Sequence, residues 1–301
     1  MLTEKYINPF TDYGFKRLFG EEAHKDLLLD FLNELLYEEQ GQIKSLTFLK
    51  TEHLGSTETD RKAIFDLYCE NEKGEKFIVE LQKTKQNFFK ERALYYSTFP
   101  IQEQAKKGDW AYDLKAIYTI AILDFVFIED AEELDKYKYV IKLSDIETNK
   151  VFYDKLTFVY LEMPKFKKAL ADIETHFEKW LYVLRHLNEL EKIPAKLSEK
   201  VFSRLFEVAE IAKFNREQLM QYEDSLKYYR DLNNSFSTAK VEAMKEGLKQ
   251  GLAQGLEQGL AQGKLAEKLA QAVKMKKKGY DADDIIEITG LDEQTIASLR
   301  F

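Results

Sequence analysis

A chain of 301 residues, 45% hydrophobic and 33% charged, is long enough to bury one large core or two smaller ones, and its composition is not that of a disordered protein. No charge-free apolar run reaches the roughly 18 to 20 residues of a membrane span, and the start MLTEKYINPF lacks the pattern of a signal peptide, so the expected compartment is the cytoplasm. The net charge of -8 argues against a general nucleic-acid coat protein while leaving room for a local basic groove; one cysteine, Cys69, excludes a disulfide scaffold and a cysteine-rich zinc site.

The first segment, NPFTDYGFKRLFGEEAHKDLLLDFLNELL, has apolar residues at helical spacing from about Asp12 to Leu36, with Thr11 or Asp12 as the cap. Strand-like runs follow at SLTFLK, AIFDLYCE and KFIVELQK. Between the last two lies NEKGE, and a three-residue loop of Glu72, Lys73 and Gly74 puts glycine where a left-handed residue is needed. That loop pairs Asn71 with Glu75, Leu67 with Val79 and Asp66 with Glu80. Alternation then assigns Phe65, Leu67, Cys69, Phe77, Val79 and Leu81 to an apolar core face, and Ile64, Asp66, Tyr68, Ile78, Glu80 and Gln82 to the other.

Carboxylates opposed in this way have Cβ atoms about 5 Å apart and repel unless something positive lies between them. A divalent ion resolves the conflict, since magnesium takes one or two carboxylates and completes its shell with water and phosphate oxygens. Such a site activates water against a phosphodiester. A partly solvated sheet face on which two acids meet is the plainer alternative.

After the hairpin, NFFKERALYYSTF and IQEQAKKG read as helix, bent or broken at Pro100. Lys83, Lys85, Lys90 and Arg92 form a basic patch that suits DNA contacts and equally suits a solvated surface. KAIYTIAILDFVF, YKYVIKLSDIE and KLTFVYLEMPKF supply three more strands, so the order of elements indicates an α/β domain with a mixed sheet flanked by helices. From Lys167 to about Asn234 the chain turns helical. The expected division is a core over 1–166, a helical extension over 167–235 and a tail over 236–301.

The tail carries glycine at 247, 251, 255, 259 and 263 in EGLKQGLAQGLEQGLAQGK. A four-residue step drifts slowly around a helix as a stripe of small residues, which permits close approach of another helix and so a homo-oligomer. A low-complexity linker is the alternative. The end, KKKGYDADDIIEITGLDEQTIASL, has the outline of a helix-turn-helix, but the acidic start of its last helix favours protein packing over base contacts.

TDYGFKRLFG, FDLYCENEKGEKFIVELQ, the helix with ERALYYS, the strand LKAIYTIAILDF and the glycine-punctuated tail ending in ITGLDEQTI together resemble the PD-(D/E)xK nuclease superfamily, and more closely its Rpn-type recombination-promoting nucleases, also described as putative transposases. The resemblance spans nearly the whole chain. It implies a restriction-endonuclease-like α/β core, with Asp66 and Glu80 as ligands of Mg2+ or Mn2+. Asp12 matches an acidic position on the first helix that supports or positions the ligands. Gln82 stands where the superfamily usually has lysine and this subfamily commonly has glutamine. An amide orients water and phosphate by hydrogen bonds but brings no charge, and Lys85 or Lys90 is the candidate to supply it. Lys83 points to the opposite face if the strand is regular.

The implied activity is magnesium-dependent DNA cleavage linked to recombination, mobile elements or defence against foreign DNA. A catalytically degenerate nuclease fold that binds DNA or protein as an oligomeric module is the second reading. RNA cleavage ranks below both, for want of a base-stacking signature.

Overall fold

The structure is a computed structural model that describes residues 4–53, 63–105, 111–127 and 132–299. Its strands are β1 (Leu46–Phe48), β2 (Glu52–His53), β3 (Ala63–Ile64), β4 (Leu67–Asn71), β5 (Lys76–Gln82), β6 (Ile117–Leu123), β7 (Lys138–Ser144) and β8 (Val151–Glu162). The helices before the sheet are α1 (Asp12–Phe19), α2 (Lys25–Leu35) and α3 (Tyr37–Gln40), and α4 (Phe89–Glu103) lies between β5 and β6. After the sheet come α5 (His176–His186), α6 (Lys200–Ala209), α7 (Arg216–Lys277), α8 (Ala282–Thr289) and α9 (Glu293–Ser298). The chain forms two compact units, Met1–Asn233 and Asn234–Phe301.

In the first unit six of the described strands form a mixed sheet of order β1-β4-β5-β6-β8-β7, with β5, β6 and β8 parallel and the other pairings antiparallel, while β2 and β3 pair antiparallel with each other. Strand β6 is buried along its whole length, as a central parallel strand of unbroken apolar sequence must be. One face of the sheet carries the larger core, where Leu67, Cys69, Phe77, Val79 and Ile120 meet α1, α2, α5, α6 and the first turns of α7. Trp180 and Phe202 from the later helices are fully buried there. Helix α4 covers the opposite face, over Tyr68 and Ile78 at one end and Ala121 and Tyr160 at the other.

Two glycines decide where α1 sits. A methyl group on Gly14 would lie 2.2 Å from the Asn8 carbonyl oxygen, and one on Gly20 would lie 2.9 Å from Leu67 Cδ2. Glycine therefore lets α1 close onto its own N-terminal loop and onto the start of β4. The Thr11 hydroxyl caps the helix by accepting from the Gly14 N–H at 2.9 Å. The single helix expected over Asp12 to Leu36 is thus two helices, parted at Gly20 by a short 3-10 turn.

Helix α4 is not broken at Pro100; it runs on to Glu103, because a proline in the last turn forfeits only one ladder hydrogen bond near an end that frays anyway. The first turns of α7 lie along α1: Tyr222 accepts from the Asn8 N–H at 2.9 Å and Ser225 from the Tyr13 N–H at 3.1 Å. Tyr229 donates to Asp124 just past β6, at 2.8 Å.

In the second unit Ala272, Met275, Ile285, Leu291 and Ile296 form a small core. Gly279 and Gly290 take left-handed conformations at the two breaks, so the tail follows the helix, turn and helix order of its sequence. Upstream, Leu248, Leu252, Leu256 and Leu260 are exposed, and nothing lies within 4 Å of a methyl placed on any of the five repeat glycines.

Candidate functional site

The hairpin forms in the expected register: Leu67 faces Val79, the Asn71 N–H donates to the Glu75 carbonyl, and Gly74 has φ of +78°. The irregularity lies upstream. AIFDLYCE is not one strand but two, β3 and β4, with Phe65 and Asp66 between them in a bend. Side-chain alternation holds only along a continuous strand, so Phe65 leaves the face assigned to it and packs with Tyr68, Ile78 and Phe99 beneath α4. Ile64 is left exposed.

The same bend builds the acidic pair. Freed from the ladder, Asp66 turns its carboxylate toward β5, where Oδ2 accepts from the Leu81 N–H at 2.8 Å. Its own N–H donates to Glu80 Oε1 at 3.2 Å. Each carboxylate spends one oxygen on a backbone N–H, and the second, Asp66 Oδ1 or Glu80 Oε2, remains to be offered to a cation.

Burial, above all, raises the Asp66 carboxyl from its ordinary range; the Leu81 N–H opposes it, Asp12 adds to it, and Lys16 and Lys83 lower it. Burial and then the Asp66 charge push Glu80 up to about 8, against the pull of the Asp66 N–H, Arg92 and Lys16. Two partly buried acids that repel and each keep an open oxygen fit a divalent cation of the magnesium type. Among the described residues no group of three or more His, Cys, Asp and Glu side chains is placed to hold a metal ion, and the pair offers only carboxylate oxygens, the hard donors that magnesium takes.

Around the pair, Asp12 does not join it but accepts from the buried Lys83 ammonium at 2.7 Å. Lys83 follows the last residue of β5 and so escapes strict alternation, and its ammonium sits 5.5 Å from the centre of the Tyr228 ring. Gln82 is buried; its amide nitrogen donates to the Thr84 carbonyl at 2.8 Å and its oxygen accepts from Arg92. One amide hydrogen of Gln82 is left for another acceptor. Lys85 is exposed, and Lys90 lies over the Phe127 ring at 4.6 Å. Neither is among the charges that act most on Asp66 or Glu80.

Lys16 is the residue that sequence reasoning passed over. It lies one turn beyond Asp12 on α1, lines a cavity of about 510 Å³ with Asp66, and acts on both carboxylates. It stands inside TDYGFKRLFG, where a lysine on an amphipathic helix reads as a solvated face.

A family model described as PD-(D/E)XK nuclease family transposase matches residues 9–239. The chain belongs to that family. The match takes in the sheet, the hairpin that carries the acidic pair and the first turns of α7. No curated protein and no solved structure matches the chain.

For a member of this nuclease family the metal-free acidic pair has a consequence for stability. The Glu80 carboxyl titrates near 4.5 when exposed and near 8 when folded, so the folded state holds an extra proton between those values. That contribution is complete below about 4.5 and is lost as pH rises through about 8. In chelator, Glu80→Gln is expected to melt close to the parent at pH 5 and a few degrees above it at pH 9. Parallel melting profiles across that range would contradict the burial-driven shift.

Proposed function

We propose that the chain is a metal-dependent DNA endonuclease acting in the cytoplasm, serving recombination, mobile elements or defence against foreign DNA. The observation that carries this reading is the partly buried pair of Asp66, bent out of the sheet ladder, and Glu80 on β5, each with one open oxygen. Asp66 and Glu80 would hold Mg2+ or Mn2+, which when bound makes water nucleophilic at neutral pH and neutralises charge on the phosphodiester.

The chain's own groups do the rest. Lys16 and Arg92 bring positive charge to the acidic pair, a part that lysine usually plays in the superfamily. Lys83 fixes Asp12 and adds charge near Asp66. Gln82 holds Arg92 and turns its remaining amide hydrogen toward the attacking water. Lys85 and Lys90 serve the DNA backbone rather than the reacting phosphate.

Asp66→Ala or Glu80→Ala should abolish Mg2+-dependent plasmid cleavage and leave the fold intact by circular dichroism. Gln82→Ala, which frees Arg92, should slow single-turnover cleavage by about 10- to 1000-fold at saturating metal. Full activity in either variant would rule out this pair as the catalytic site, and a parent that cleaves no DNA would leave the degenerate binding module as the better reading.

The tail is proposed to hold copies of the chain together through its leucine and glycine stripe, and a helix with four such leucines exposed supports this. Removing residues from Met244 onward should lower the mass measured by light scattering while the remaining chain stays folded. An unchanged mass would make the glycine repeat a linker.

A further inference from the structure

Beside the acidic pair, the segment between β5 and α4 carries a feature that the hydrolytic site does not use. Phe88 has φ of 62° and ψ of 28°, a left-handed conformation that costs a phenylalanine stability, and its side chain is 75% exposed. Asn87 just before it is of the type that takes this conformation more readily. The strain and the exposed ring are both unfavourable for folding, so neither is explained by packing.

The ring borders a cavity of about 660 Å³ whose walls include Tyr95, Tyr96, Arg92 and Gln86. Arg92 lies over the Tyr96 ring at 5.9 Å, and its backbone N–H donates to the Phe88 carbonyl at 2.9 Å. The same guanidinium bonds Gln82 and Gln86, so the groove is tied to the strand that carries Glu80. Charge favours a polyanion: Lys85, Lys90 and Arg92 outnumber Glu91 along the segment.

We propose that this groove is a nucleobase-binding site, in which one unpaired base of the DNA substrate stacks on Phe88 and Tyr95 beside Arg92 while its phosphates meet Lys85 and Lys90. Aromatic faces with neighbouring cations bind single strands in this way without demanding a sequence. The inference deepens the endonuclease reading, because it adds local strand opening next to the cleaved bond. A protein surface that takes up Phe88 as an apolar knob is the competing occupant.

The test measures binding of a labelled single-stranded oligonucleotide by fluorescence anisotropy, in chelator and at one fixed salt concentration, with 2-aminopurine in the oligonucleotide to report stacking. Phe88→Gly removes the ring and suits the left-handed backbone, so this variant should melt no lower than the parent. It should bind about 5- to 150-fold more weakly, the equivalent of ~1–3 kcal/mol per stacked base, and lose the 2-aminopurine quench. Phe88→Trp should bind at least as well as the parent. Tyr112 is similarly exposed with φ of 57°, but it precedes the start of β6 whereas Phe88 follows the end of the parallel strand β5, which puts the two at opposite ends of the strands, so Tyr112→Gly should bind like the parent.

Equal binding by Phe88→Gly and the parent overturns the proposal, as does a parent that binds no single strand. A change in mass by light scattering with DNA affinity unchanged overturns it in favour of a protein contact. Because binding is read without metal, a parent that binds through Phe88 but never cleaves sinks the nuclease reading alone. A parent that cleaves while Phe88→Gly binds normally sinks only this one.

Discussion

Two reciprocal hydrogen bonds hold the site together: the Leu81 N–H to the Asp66 carboxylate, and the Asp66 N–H to the Glu80 carboxylate. Both exist because the chain leaves the sheet ladder for two residues at Phe65 and Asp66. In an unbroken strand those N–H groups would serve a neighbouring backbone, and the two acids would merely face each other. The bend instead makes backbone donors hold two acids in place that repel each other once both are ionised. The register that delivers Glu80 to this point depends in turn on Gly74, whose left-handed backbone closes the hairpin.

Helix α1 completes the arrangement. Gly20 allows its end to approach Leu67, the residue after Asp66, and Lys16 one turn earlier then shares the cavity with Asp66. Cations surround the acids without neutralising them: Lys83 is spent on Asp12, Arg92 is held by Gln82, and Lys16 is exposed. The result is a partly buried acidic pair with positive charge at its rim.

Much of this was legible in the sequence, and what was not has physical causes. Hairpin register followed from turn chemistry, which is local. The face taken by Phe65 did not, because Tyr68 and Ile78 on the second face are also buried, so hydrophobicity fails to distinguish the two sides of β4 and β5. The break at Gly20 was hidden because glycine inside a periodic apolar pattern looks tolerated until a partner backbone or side chain is seen close by. Lys16 and the engagement of Gln82 by Arg92 are long-range facts: a charged residue on a helix face looks the same in sequence whether it meets water or a carboxylate. Conversely, the family pattern singled out Asp66, Glu80, Gln82 and Asp12, and the structure gathers Asp66 with Glu80 while giving Asp12 to Lys83 and Gln82 to Arg92.

The claim on which the account rests is that Asp66 and Glu80 share one divalent cation in place of a proton. Calorimetric titration of the intact chain with Mn2+, in buffers of different ionisation heat, measures both the ions bound and the protons released. The account predicts one ion per chain at this pair, with close to one proton released near pH 6.5 and progressively less above about 8, where Glu80 is already ionised. Binding without proton release at pH 6.5, or no binding at either pH, would contradict it.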